Sequence, residues 1–166
     1  MTVSQHKVKG DSSQNVVGVG MFSHMISYII SLLSCWVGGF ILHECCHALE
    51  ASRQGAKPYI EFWWHGNLPS MRCGYSGTIK NRSLFSFAGG FYSGCILLFF
   101  GWLFLYVYLP LAYGLLVVGA INFVYAFYEV RYIDKLDRDE YMRKHYIIYI
   151  VTFIVVTIIF KLWKDK

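Results

Sequence analysis

Ser83–Tyr128 reads SLFSFAGGFYSGCILLFFGWLFLYVYLPLAYGLLVVGAINFVYAFY, a run without one Asp, Glu, Lys, Arg or His. No water-facing surface accommodates such a stretch, because charged side chains are what cover a soluble domain. Crossing the hydrocarbon core takes about 20 apolar residues. The run is therefore long enough to cross twice and has to fold back once. Leu109-Pro110-Leu111 is the expected reversal, since proline lacks an amide donor and pushes the residue before it out of helical geometry.

Outward from this run, two more stretches have the length and apolarity of a span, which predicts four: about 21–50, 84–108, 112–129 and 146–162. The first is longer than the apolar region of a cleaved signal peptide and is not followed by a small-residue cleavage pattern, so it stays in the membrane. Residues 1–20 form a polar N-terminal tail, and 21–166 a single transmembrane domain. Between the first two spans, Tyr59–Trp64 and Met71–Ile79 are aromatic or alternating and flank His65-Gly66-Asn67-Leu68-Pro69-Ser70. That pattern predicts a two-stranded hairpin within 57–82, lying at the headgroup level where Trp63, Trp64 and Tyr75 have one wet end and one apolar end. The fold class expected is an all-α, multi-pass integral membrane protein with a short interfacial β-hairpin.

Composition agrees. Of 166 residues, 56% are hydrophobic, 19% aromatic and 15% charged, which excludes a disordered, collagen-like or coiled-coil chain. The formal charge of +5 does not indicate nucleic acid, because the basic residues flank apolar spans and form no single face interleaved with aromatics. The lipid bilayer and its anionic headgroups are the expected counter-charge. The segments 51–83 and 130–145 hold most of the Lys and Arg, so the positive-inside rule puts both connections in the cytoplasm. Five cysteines, two of them adjacent and two inside apolar runs, define no disulfide framework.

Chemistry enters at His43-Glu44-Cys45-Cys46-His47, an H-E-x-x-H pattern at the far end of the first span. Four residues advance a helix by about 400 degrees, so His43 and His47 project from neighbouring turns of one face and can share a metal ion. Zn2+ suits two imidazoles and a carboxylate, with a fourth position left for water. Glu44, one step round, is the expected general base and acid: it takes a proton from water activated by the ion and hands it to the departing amine, which is amide hydrolysis. Ionisable groups within a span each cost roughly 2.5–3.5 kcal/mol on insertion scales. Three in five residues call for a compensating ligand.

The order of parts over about 22–130 resembles the site-2 protease family of intramembrane zinc metalloproteases. His43-Glu44-Cys45-Cys46-His47-Ala48 is similar to that family's H-E-x-x-H-A helix, and a β-rich stretch follows. Phe87-Ala88-Gly89-Gly90 resembles the A-G-P start of the next span, with glycine in place of proline. Ala120-Ile121-Asn122-Phe123-Val124 resembles the start of the N-L-L-P segment, whose asparagine helps to position substrate. The resemblance implies cleavage of a transmembrane or membrane-anchored protein near or within its span, and a catalytic role for Asn122; an interhelical hydrogen bond is the alternative for that residue. The family's third ligand is an L-D-G aspartate. Here that position is Val130, and no D-G occurs. Glu129, one residue earlier and seven from Asn122, returns to the face of Asn122 two turns on and is the expected third ligand. Asp134 and then Asp137 are the next candidates, although they alternate with Lys and Arg as on a solvated helix.

Gly90 and Gly94, spaced G-x-x-x-G, and Gly38-Gly39 are expected to let helices approach closely. His65 is expected as an interfacial turn residue. Two other readings stand beside the protease: a non-catalytic metal-binding scaffold of the same fold, and a membrane zinc protease with a downstream Glu ligand that acts on flexible tails. Haem is disfavoured, because two histidines four apart on one helix cannot supply opposite axial ligands.

Overall fold

The computed structural model describes the backbone of residues 13–65, 68–132 and 138–164, and the side chains of 23–62, 71–132, 144 and 146–164. Four helices and one hairpin follow in the order α1 (Ser13–Arg53), β1 (Lys57–His65), β2 (Leu68–Ser76), α2 (Arg82–Phe104), α3 (Leu109–Tyr132) and α4 (Arg138–Lys164). Each helix contains a stretch long and apolar enough to cross a membrane: Ser23–Arg53, Arg82–Phe104, Leu109–Tyr132 and Tyr146–Lys164. Large apolar side chains point outward from α1 (Ile29, Ile30, Leu33) and α4 (Ile150, Ile154, Ile158). A multi-pass membrane protein has this character, with lipid as the solvent of those faces.

Helix boundaries differ from the sequence expectation, and α4 begins at Arg138, inside the stretch expected to be the polar connection. Helix α1 begins at Ser13, inside the stretch expected to be a tail; residues 1–12 lie outside the described residues. The reversal between α2 and α3 occupies 105–108, and Leu109 and Pro110 sit in the first turn of α3. Proline is well placed there, where its missing N–H has no intrahelical partner to lose.

The C-terminus of α1 closes with Gly55 at φ +88 and Ala56 N–H donating to the Ala51 carbonyl at 3.0 Å, a glycine cap that frees the chain to turn into the hairpin. Strands β1 and β2 pair antiparallel from Lys57↔Ser76 to His65↔Leu68. Strand β1 is longer than expected and β2 is displaced toward the turn: His65 and Leu68–Ser70, read as loop, belong to the ladder, whereas 77–79, read as strand, lie beyond it, where Gly77 turns the chain at φ +97. After β2, the Asn81 side chain caps α2 by accepting the Leu84 N–H at 2.9 Å. Gln54 ties this cap back to α1, accepting the Asn81 N–H at 2.7 Å and donating to Glu50 at 3.0 Å.

Helix packing rests on small residues. A Cβ at Gly90 would lie 2.5 Å from the Asn122 carbonyl oxygen, and one at Gly94 2.7 Å from the Phe123 nitrogen. Helices α2 and α3 thus meet backbone to backbone as an antiparallel pair. In lipid, where apolar surface gains nothing by leaving its solvent, such close approach supplies the association energy. Gly39 does the same between α1 and α3, facing Val118, whereas Gly38 has open space around it. Cys35, Leu97 and Val118 form the centre of the three-helix contact, with Leu32, Leu42, Leu111 and Leu115 packed around them.

Helices α1 and α3 run parallel at a nearly constant offset. Gly114 lies against Ser31 and Cys35, Asn122 against Gly39, and Tyr125 beside His43. One turn further on, the same register brings Glu129 to His47. Helix α4 packs on α3 through Tyr113, whose hydroxyl is 2.8 Å from Thr157 Oγ1.

Candidate metal centre

His43 and His47 lie on consecutive turns of α1, their rings edge to face with centroids 4.8 Å apart. Their Nε2 atoms are separated by 3.1 Å. Glu129 of α3 faces both, with Oε2 3.6 Å from His43 Nε2 and Oε1 3.5 Å from His47 Nε2. All three residues are buried, and their donor atoms lie within 4.8 Å of one another.

The arrangement fits a metal ion on three independent grounds. Donors at about 2.0–2.2 Å from a tetrahedral ion stand roughly 3.3–3.6 Å from one another; each imidazole lies at such a distance from one Glu129 oxygen, 3.6 and 3.5 Å, and the two Nε2 atoms are slightly closer, at 3.1 Å. His47 Nδ1 is 2.8 Å from the Phe85 carbonyl. That carbonyl can only accept, so Nδ1 carries the hydrogen, and in the neutral ring the lone pair of Nε2 points inward, as a metal-ligating histidine requires. Glu129 Oε2 is buried and makes no hydrogen bond, which is costly unless a cation satisfies it.

Glu44 sits beside the trio without joining it. It is buried, and its Oε2 accepts the Cys73 backbone N–H at 2.6 Å. In an antiparallel ladder alternate residues turn their amides outward; the Cys73 amide is turned from β2 toward α1, and it orients this carboxylate. Burial, with the Glu44 carboxylate and Cys45 nearby, pushes the Cys73 thiol up to about 11. Cys73 is therefore a thiol at neutral pH when no cation faces it.

Asn122 is buried on α3, and its Nδ2 donates to the Gly39 carbonyl at 3.3 Å. The interhelical bond expected as the alternative for this residue is thus present, and a second amide hydrogen remains to it. Asp134 and Asp137 lie outside the described residues. His65 has its backbone in β1, and its side chain lies outside the described residues.

Three supporting groups were not anticipated from sequence: the Phe85 carbonyl, the Cys73 amide and Gly89. A Cβ on Gly89 would collide with the His47 imidazole, at Nε2, Cδ2 and Cε1. The doubled glycine at 89–90 was the available signal, but nothing local links it to a residue 42 positions earlier. The ring of Phe85 also lies 4.9 Å from that of His47, so the first turn of α2 both orients the imidazole and shields it.

Comparison with protein-family models, with curated proteins and with solved structures finds no match to this chain.

Proposed function

We propose that the chain is a zinc metalloprotease of the membrane interior, similar in its site to the site-2 proteases, that hydrolyses a peptide bond in or near a transmembrane segment of another protein. The observation that carries this reading is the convergence of His43, His47 and Glu129 with a further buried carboxylate, Glu44, held alongside. A structural zinc site usually fills its fourth position with protein and has no use for such a carboxylate.

Zinc, when bound, supplies Lewis-acid chemistry: it lowers the pKa of a coordinated water to about 7 and polarises the scissile carbonyl. Glu44 takes a proton from water as the oxygen adds to the carbonyl carbon. It returns that proton to the amine nitrogen as the carbon–nitrogen bond breaks. The Cys73 amide keeps its carboxylate aimed throughout. Asn122 offers its second amide hydrogen to the substrate backbone.

A peptide bond within a transmembrane helix has its backbone groups already paired, so the substrate has to unwind before water reaches it. An edge strand of the hairpin is suited to receive the extended segment by added-strand pairing and to satisfy its freed backbone groups.

Metal content of the detergent-purified protein tests the site. Zinc is expected in the native chain at one per molecule, lost in His43→Ala and Glu129→Ala and kept in Asp134→Ala and Glu44→Gln; cleavage of a transmembrane substrate is expected to vanish in Glu44→Gln. Zinc lost in Asp134→Ala but retained in Glu129→Ala would reassign the ligand, and Glu44→Gln that still cleaves would remove the role given to Glu44. Stoichiometric zinc without cleavage of any transmembrane or tail substrate would favour a metal-holding scaffold. Because the third donor is a glutamate, a protease acting on flexible tails near the membrane is the second reading, and preferential cleavage of a tail peptide over a transmembrane helix would select it.

A further inference from the structure

Gln54 belongs to none of the motifs above. It is the first residue beyond α1 and follows His47 by two turns, which returns it to the same face, with Glu50 between them. Both ends of its carboxamide are engaged. Oε1 accepts the Asn81 N–H at 2.7 Å, while Nε2 donates to the Asn81 carbonyl at 3.1 Å and to Glu50 Oε1 at 3.0 Å. A backbone N–H can only donate and a carbonyl only accept, which fixes the oxygen and the nitrogen of this amide. Glu50 is buried, with Oε2 3.6 Å from Arg53 Nη1, and it anchors the amide from the α1 side. Glutamate at 54 could not donate, lysine could not accept, and asparagine is a methylene shorter.

Asn81 is where α2 begins. Its side chain caps the helix, and its carbonyl accepts the Phe85 N–H at 3.0 Å. That oxygen, with two lone pairs, is thus shared between Phe85 and Gln54. The carbonyl of the same Phe85 is the group 2.8 Å from His47 Nδ1. Two hydrogen bonds to one oxygen therefore join Gln54 to the residue that orients the imidazole. The first turn of a helix holds amides without partners of their own and is where helices fray. Fixing that turn to α1 at Gln54 keeps the Phe85 carbonyl level with His47. The Phe85 ring, 4.9 Å from His47 and 5.1 Å from Tyr75 of β2, moves with the same turn.

We propose that Gln54 is a positioning residue of the metal centre: by clamping the main chain of Asn81 to α1 it keeps the Phe85 carbonyl on His47 Nδ1, and so keeps Nε2 aimed at the ion. The proposal rests on the zinc-binding reading above and is independent of proteolysis. Disturbing the group that holds the second ring nitrogen of a ligating histidine typically weakens metal binding by about 10- to 100-fold. Gln54 acts one hydrogen-bonded step further out, through a turn that the Asn81 cap still supports, so its effect belongs at the lower end of that range.

Gln54→Met keeps the length of the side chain and removes its hydrogen bonds. Titration of the detergent-purified protein with zinc, against a chelator of known affinity, is expected to show binding about 10-fold weaker than in the native chain. With cobalt at saturation as the optical probe, its visible absorption is expected to differ from the native spectrum, because the ligand geometry has changed and not only the stability of the fold. Gln54→Glu, which cannot donate to Asn81 or Glu50, is expected to weaken zinc by the same order and keeps the test available should the methionine variant fail to fold. Tyr113→Phe, which deletes the hydroxyl bonded to Thr157 between α3 and α4, is expected to stay within about twofold of native affinity with a native cobalt spectrum. Native-like zinc affinity in either Gln54 variant, equal weakening in Tyr113→Phe, or a native cobalt spectrum in Gln54→Met would overturn the proposal and leave the metal site standing. A native chain that takes up no zinc would overturn both.

Discussion

His47 is held from three directions: Nε2 faces His43 and Glu129, Nδ1 is 2.8 Å from the Phe85 carbonyl, and the ring rests over Gly89. Gly89 is required there for space alone, since any Cβ would occupy the imidazole's position. Gly89→Ala is therefore expected to turn the ring off its axis and weaken zinc binding by about 10- to 100-fold, the usual cost of disturbing a group that orients a ligand. Competition with a chelator of known affinity measures it, and native-like retention of zinc would show that the ring can yield without losing the ion. The contrast with Gly38, around which a Cβ meets nothing within 4 Å, supplies the control: Gly38→Ala is expected to leave zinc affinity unchanged.

At the scale of elements, the hairpin packs on α1, and its Cys73 amide donates to the Glu44 carboxylate. A segment added at an edge of the hairpin would lie near Glu44, the residue proposed as the base. Residues 58–80 are therefore expected to gain hydrogen-exchange protection, with rates slowed by about tenfold or more, when the Glu44→Gln protein is saturated with an uncleaved substrate. Unaltered exchange over that range would exclude strand addition at the hairpin. The helices play another part. Close glycine contacts between α2 and α3 leave α3 little freedom to slide or turn. Its parallel register with α1 then fixes which α3 residue arrives at His47.

Across the whole molecule, the metal centre lies at the end that carries the hairpin and both basic connections, because α1 and α3 run parallel and finish together there. By the positive-inside rule, the excess of Lys and Arg in 51–83 and 130–145 predicts that this end faces the cytoplasm. A cysteine introduced at Ser52 in a chain with its native cysteines replaced is expected to react with a membrane-impermeant maleimide in inverted vesicles and to be protected in intact cells. Labelling from the outer side would reverse the orientation and put the site on the opposite face.

Read alone, the amino-acid order determined the four crossings, the hairpin between the first two and the shared face of His43 and His47. Each follows from interactions within one segment: apolar length against the bilayer thickness, strand alternation, and a four-residue step along one helix. Glu129 was legible as a candidate through its spacing from Asn122, but that spacing could not say that α3 meets α1 at the offset which brings the carboxylate to the imidazoles. The tertiary structure decided that meeting, together with the Phe85 carbonyl behind His47 and the Cys73 amide on Glu44. These contacts join residues far apart in the chain, and their geometry depends on how closely glycine-lined helix faces pack, a property of two surfaces together that neither segment carries by itself.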